Sequence, residues 1–535
     1  MKIECGYKFA TLGIPIFGLA LAMHVSTSIA AAFVVDTTSD TSLSACDVGM
    51  ANDCSLRGAL TAANATPAAD DIVFNIPQSD AGFQAPTQHW RISVPDGALL
   101  PSAVASVLID GSTQPGANAN SNSPAQGGLN GALKIEIRGT NPLGNANFAF
   151  QLIGDSASVL RGLVINGYRD AQVFLSGAGA HRIEGCYLGT KVTGNSAQLL
   201  SGTQPITNGI GFGGNGNYVI GGTAPAMRNL LSGLNFAMST SGNALPSVRI
   251  QGNLVGTNAA GTAVIGNSFG LLTFRFGNTL IGGADANARN VFSGHSGQAM
   301  LFRTSNNPGV FANTQVLGNY FGTDVSGIRA LGNDLQHRGS TIEISGIGCA
   351  LTLGGTAPGE ANLIAYSVSS GVAVFGCNGQ QTPLNRYRGN QGPAFDNAVG
   401  NGTGSTINDA NDADEGANRL QNFPELTLPS AGSTMLGYRV DTATANATYP
   451  ITVNFYRAAC GGGSDALITS TTISTAQAQQ LLGLDIASLG SYLPLTATAV
   501  DAEGNTSEFA PALGEAIFSS GFEDQATPIM LGACR

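Results

Sequence analysis

Short apolar runs punctuated by glycine and asparagine dominate the chain from about residue 100 to about residue 400. Leu163-Val164-Ile165 is typical: it is strand-length and far too short for a helix. Glycine sits at the ends of these runs, where the chain must turn sharply. Three segments match one another: Glu184–Thr190, Gln251–Thr257 and Leu317–Thr323. They recur about 66 residues apart, and each leads to a further glycine, at Gly194, Gly261 and Gly327. A second set interleaves with the first. Tyr218–Gly222 matches Thr279–Gly283 and, more loosely, Thr352–Gly355; Arg228–Gly233, Arg289–Gly294 and Asn362–Ile364 follow them. Self-similarity on this scale marks a solenoid, in which stacked coils bury a core that no single coil could bury. A unit near 66 residues divides into three coils of roughly 22. That predicts about 13 coils between residues 100 and 400, and a rod roughly 60 Å long at ~4.8 Å per coil. Asparagine recurs at equivalent points, where stacked amides can bond from coil to coil.

A stack of coils has open ends that need covering. Ser55–Asn64 reads as a short helix, with Ser55 as N-cap and Leu56, Ala59, Leu60 and Ala63 on one apolar face. Near residue 400 the pattern changes. Asn401–Asn418 is rich in Asn, Asp and Gly, and the period-two segments Leu436–Val440, Ile451–Tyr456 and Leu495–Val500 then predict a β-sandwich of about 90 residues. The chain therefore reads as all-β. Residues 1–32 are a signal peptide, 33–100 a cap with the first coils, and 101–400 a right-handed parallel β-helix. Residues 401–423 are an acidic loop, 424–512 a β-sandwich and 513–535 a tail.

The first 32 residues place the protein outside the cytoplasm. Lys2 and Lys8 precede an apolar stretch, Phe9–Met23, and Ser28–Ala30 and Ala30–Ala32 offer small-residue cleavage sites. The stretch is short and broken by Pro15, which argues against an anchor, and no later segment could span a bilayer as a helix. Only 11% of residues are charged, the net charge is -11, and the only lysines are Lys2, Lys8, Lys134 and Lys191. No basic stripe exists, which excludes a nucleic-acid partner. Export permits disulfides. Cys46 with Cys54, Cys349 with Cys377 and Cys460 with Cys534 are candidate pairs that leave Cys186 free; buried free thiols are the alternative for each.

Phe33-Val34-Val35-Asp36-Thr37-Thr38, Cys46, Cys54-Ser55-Leu56-Arg57 and Ala62-Ala63-Asn64 closely resemble the CSLREA domain, which stands at the N-terminus of exported bacterial β-helix proteins. Gly58 occupies the place of that motif's Glu, a departure that weakens a helix. Ile109–Gly116 looks like the first-coil signature of the same proteins, and the repeats resemble those of the pectate-lyase-like superfamily. Asn422-Phe423-Pro424 and Asp501–Phe509 resemble the family's C-terminal sandwich. Ile517–Glu523 is similar to a short tail on some exported proteobacterial proteins, read here as a docked terminal strand or a sorting signal. The resemblance implies a secreted or cell-surface location and a fold. It implies no particular activity.

Pectate-lyase-like enzymes hold Ca²⁺ and substrate on an acidic cluster, with Arg or Lys as base, and related hydrolases use paired Asp residues. Here Asp155, Asp170, Glu184, Asp285, Asp324, Asp334, Glu343 and Glu360 are scattered, and no two stack at a clear coil offset. Asp70 and Asp71 are adjacent and so face opposite sides of a strand. His295 and His181 read as surface or turn residues, and no catalytic residue is identified. Tyr187, Tyr320 and Phe321 read as a core stack, not a sugar platform. One constellation remains, Asn408–Glu415, in which Asp409, Asp412 and Asp414 are candidate ligands for a structural Ca²⁺, with a solvated acidic turn as the alternative. The reading is an exported, non-enzymatic, monomeric surface or extracellular protein for adhesion or glycan and matrix interaction, with a polysaccharide or cell-surface ligand. The alternative is a polysaccharide lyase or glycoside hydrolase with an atypical site, which three or more charged side chains converging in one groove would favour. An autotransporter passenger is disfavoured, because no membrane barrel follows the sandwich.

Overall fold

The computed structural model describes residues 1, 30–95, 97–140, 148–199, 208–304, 311, 313–349, 351–380, 384–400, 402–427, 434–459, 463–486 and 494–513. The body of the signal-peptide assignment, the candidate pair Cys460 and Cys534, and the Ile517–Glu523 segment lie outside the described residues.

Each apolar run forms a strand, and the strands stack in parallel into three long sheets of ten, nine and eleven strands. Among the described residues the one antiparallel member of these sheets is Phe83–Gln84, beside His89–Val94. Strands of the ten-stranded sheet lead round a corner into short strands of the eleven-stranded sheet, and the nine-stranded sheet closes each coil. Inward residues of all three sheets, such as Ile250, Val255 and Leu271, form one continuous core. The result is a β-solenoid. Among the described residues no helix is long and apolar enough to cross a membrane.

The 66-residue period corresponds to two coils, not three. The coils that carry the first motif pass from a positive-φ glycine (Gly252 at +73°, Gly318 at +67°) straight into Leu254–Val255 or Tyr320–Phe321. They then make a small excursion closed by an antiparallel bridge, Thr190 to Ala197, Thr257 to Val264 and Thr323 to Ala330. The intervening coils make a 3₁₀ turn at the same corner, Pro225–Met227 or Ala286–Ala288. Two alternating decorations thus double the sequence period. Coil length varies from about 23 residues (Arg161 beside Glu184) through about 37 (Arg182 beside Val219) to about 51 (Asp110 beside Arg161). Only nine strands of the nine-stranded sheet fall between residues 100 and 400, so the rod is about 45 Å long at ~4.8 Å per coil, shorter than the sequence spacing suggests.

Six asparagines mark the corner in successive coils: Asn229, Asn253, Asn290, Asn319, Asn362 and Asn385. Each Nδ2 but that of Asn385 donates to the Oδ1 of the next, over 2.9–3.1 Å. Each also donates to a main-chain carbonyl of the preceding coil, as Asn290 does to Ile250 at 2.7 Å. Each Oδ1 in turn accepts from the backbone N–H one coil back. Cys186 holds the equivalent place at the start of the row, donating its N–H to Asn229. Its thiol is free and fully buried.

The predicted N-terminal helix spans Leu56–Asn64, with the Ser55 hydroxyl accepting from the Gly58 N–H. Its buried face packs with Val35, Ile72 and Phe74 at the start of the core. Gly58 is not a weakness here. A Cβ at this position would sit 1.6 Å from the Leu43 carbonyl oxygen, so the helix and the preceding loop can approach only because the side chain is missing. Cys46 is disulfide-bonded to Cys54, and Cys349 to Cys377 on paired neighbouring coils.

Residues beyond the stack form two three-stranded antiparallel sheets, 425–427 with 435–439 and 482–485, and 464–473 with 451–458 and 495–500. They share a second core around Leu436, Tyr438, Val453, Phe455 and Ala497. This module seals the last coils. Ser464 Oγ donates to the carbonyl of Asn385, the last asparagine of the row, and Asn397 bonds to Glu508 and Thr506.

Substituting Asn290 with Ala leaves buried backbone and amide groups without partners on both sides. It is expected to cost about 3 kcal/mol in denaturant unfolding, against less than about 0.5 kcal/mol for a change at an exposed turn residue.

Candidate functional site

The acidic loop draws its three aspartates together. Ligand atoms of Asp409, Asp412 and Asp414 all lie within 4.8 Å of one another. Left-handed backbone at Asn411 and Asp412, φ +67° and +61°, curls the loop. Asp412 is buried, and its carboxylate accepts from Gln421 Nε2, Thr442 Oγ1 and the Asn422 N–H. Burial pushes this carboxyl up to about 7, and the charges of Asp409 and Asp414 push the same way, against the hydrogen bonds from Thr442 and Asn422. Asp414 Oδ1 is buried without a partner. The loop borders a recess of about 480 Å³ that Glu415 and Asn446 also line. Such oxygen-only sets suit a hard cation, which favours six to eight oxygens.

The histidines lie elsewhere than the sequence suggested. His295 is fully buried, and neither ring nitrogen has a hydrogen-bond partner. Burial holds its pKa at about 3. His181 is also fully buried, stacked on Tyr218, with Nδ1 accepting from the Ser158 N–H. Neither lies in a strand: His181 immediately precedes Arg182–Glu184, and His295 follows Val291–Phe292 by three residues. Tyr187 is buried in an apolar cluster on the outer face of the eleven-stranded sheet, under Leu129 and Leu133 of the strap that follows Ile109–Gly116. Phe321 stacks in the core on Phe292, and Tyr320 lies under Arg289. Asp70 is buried and Asp71 exposed, on opposite faces of their strand.

Seven of the eight scattered acids prove to be engaged. Asp110, Arg161 and Glu184 line up on three successive coils, and Arg161 pairs with both acids, at 3.3 and 3.1 Å. Asp324 and Asp334 accept from nearby backbone N–H groups. Sequence reasoning missed these alignments because coil length varies, so no fixed residue offset marks a neighbour.

It also missed a groove on the outer face of the nine-stranded sheet, about 370 Å³ in volume. Phe236 and Phe269, paired on adjacent strands, stack with ring centroids 4.9 Å apart and planes 12° apart. Leu272, Leu301 and the partly exposed Phe274 extend the apolar floor. Glu343 follows Leu301 in register and accepts from Arg303 Nε and Gln298 Nε2, both at 3.0 Å. The Arg338 guanidinium lies 5.3 Å from the Phe269 ring centre. Three charged side chains therefore converge, but the single carboxylate is already paired. A retaining or inverting hydrolase needs two carboxyl groups about 5 to 9.5 Å apart.

No protein-family model matches the chain, and no curated protein matches it either.

Two measurements follow from this geometry. Calcium is expected to raise the melting temperature of the full chain and chelator to reverse the shift, with Asp412→Asn abolishing the response; a response unchanged in that variant would place the cation elsewhere. For His295, the folded pKa of about 3 lies below the ordinary 6.5. The unfolded chain therefore binds the extra proton, so stability is complete above about pH 6.5 and falls as pH drops towards about 3. At pH 5 this group alone costs about 2 kcal/mol relative to pH 7, a loss that His295→Gln is expected to lack in paired denaturant titrations.

Proposed function

We propose that this is an exported, non-enzymatic β-helix protein that binds glycan or matrix on the outer faces of its coils. One observation carries the reading: the Phe236–Phe269 groove joins an apolar floor to fixed polar groups. A pyranose ring has the matching character, with C–H faces to lie on carbon and hydroxyls to meet Glu343, Gln298 and the guanidinium groups. Sites of this kind are mostly apolar with a few placed polar groups. The apolar outer cluster around Tyr187 is covered by Leu129 and Leu133, whereas Phe274 in the groove is 39% exposed.

In this reading the stack is right-handed, residues 33–100 are a CSLREA-like cap and residues 424–512 a β-sandwich. Residues 1–32 are removed on export, and the chain acts as a monomer. Asp409, Asp412 and Asp414 hold Ca²⁺ in a structural role. The alternative, a polysaccharide lyase or hydrolase, is favoured by one pair of acids. Burial pushes Glu508 up to about 7 and also raises Asp396, whose charge adds to the shift at Glu508, and Glu508 lines a recess of about 510 Å³.

The test is a binding and turnover screen against neutral and acidic polysaccharides. Binding without new reducing or unsaturated ends is expected, weakened about ten-fold or more in Phe269→Ala. Release of such ends, lost in Glu508→Gln, would establish the enzyme instead.

A further inference from the structure

A second groove, about 240 Å³, opens on the outer face of the eleven-stranded sheet, away from the aromatic groove. His89, Arg91 and Ser93 alternate outward on one strand, between the core residues Trp90, Ile92 and Val94. Glu136 and Arg138 do the same on the next strand, so that Arg91 stands beside Glu136 and Ser93 beside Arg138. Glu136 is saturated. Its Oε2 accepts from Arg91 Nε at 2.6 Å and contacts His89 Nε2 at 3.0 Å, while Oε1 accepts from Asn166 Nδ2 at 2.9 Å. Burial alone would raise this carboxyl, but the bonds from His89, Asn166 and Arg91 hold it at about 2, so it is ionised at any physiological pH.

One carboxylate thus faces two guanidinium groups, and Arg91 takes it. Arg138 is half-buried and carries no ion pair or hydrogen bond among the described residues; burial and the charge of Arg91 lower its pKa, against the opposing charge of Glu136. Ser93, Thr140 and Gln198 complete the lining, and no carboxylate among the described residues joins them. Gly139 and Gly167 leave the floor bare. Their backbones approach so closely that a Cβ on Gly139 would fall 2.3 Å from the Gly167 oxygen. In a chain of net charge -11, a recess lined by cationic forks and hydroxyls, with one positive charge in excess, stands out.

We propose that Arg91 and Arg138 form a binding site for an oxyanion: the carboxylate, sulfate or phosphate group of a ligand. Planar guanidinium forks suit such groups, and hydrogen bonds to ionised partners are the strong ones. The site does not depend on the aromatic groove and is tested separately from it.

The experiment uses the full chain and inorganic sulfate, inorganic phosphate and acetate as probes, at constant ionic strength set with chloride. The expected result is a saturable rise in melting temperature and one bound sulfate per chain by equilibrium dialysis. The ranking of the three anions identifies the group preferred. Arg138→Gln is expected to weaken binding about ten-fold or more, Arg138→Lys to restore part of it, and Arg249→Gln, at an exposed arginine on another sheet, to leave it unchanged. Equal binding by Arg138→Gln and the unaltered chain, or no saturable binding at all, overturns the proposal. Phe269→Ala separates the two sites: it should spare anion binding even if it abolishes binding of neutral glycan.

Discussion

The buried row of asparagines is the constraint on which the solenoid depends. At the corner between the ten- and eleven-stranded sheets, each asparagine carbonyl meets a backbone N–H of the next coil, but its N–H does not meet a backbone carbonyl and bonds to the next asparagine side chain instead. The Asn side chain supplies two donors and two acceptor sites there. From Asn253 to Asn362 all are used: one donor on a carbonyl of the coil before, one on the next asparagine, and an oxygen that takes two N–H groups from behind. A buried amide so satisfied costs little, whereas an unpartnered one costs the full desolvation penalty. The row therefore fixes which residue stands at each corner. The corner in turn fixes which residues of the following strands point inward.

With the register set from inside, the outer faces are free to vary. This is why the charged alignments, the aromatic groove and the arginine pair all lie on outward positions of strands whose alternate residues are core. Arg91 and Arg138 flank the core residues Ile92 and Ile137, and Phe269 lies two residues before the core residue Leu271. The scaffold holds these side chains at strand spacing without any loop to order first.

What the sequence revealed follows the same division. The strands, the Asn row, the helix Leu56–Asn64 and the acidic loop were legible, because each is set by neighbours close in sequence or by a repeated corner. The coil count was not. Two alternating corner decorations mimic a unit three coils long, and only the strand pairing separates them. Gly58 looked like a lapse in a motif until the Leu43 carbonyl was seen against it. His295 looked exposed because its glycine-rich setting resembles a turn. The outer-face groups could not be found by offset, since Arg161 lies 51 residues from Asp110 but 23 from Glu184, although all three are neighbours in register.

The alternation of corners has a consequence for how such a molecule can change length. The coil with Gly252 sits between two coils with 3₁₀ corners, and the excursions reach across such coils to one another: the Ala259 N–H donates to the Gly194 carbonyl and the Val325 N–H to the Gly261 carbonyl, each on the excursion two coils earlier. Duplicating or deleting a single coil would set like against like and leave these projections without their seats. Growth by a pair of coils would preserve every contact. The body is thus quantised in pairs, and any lengthened or shortened form of it should differ by an even number of coils.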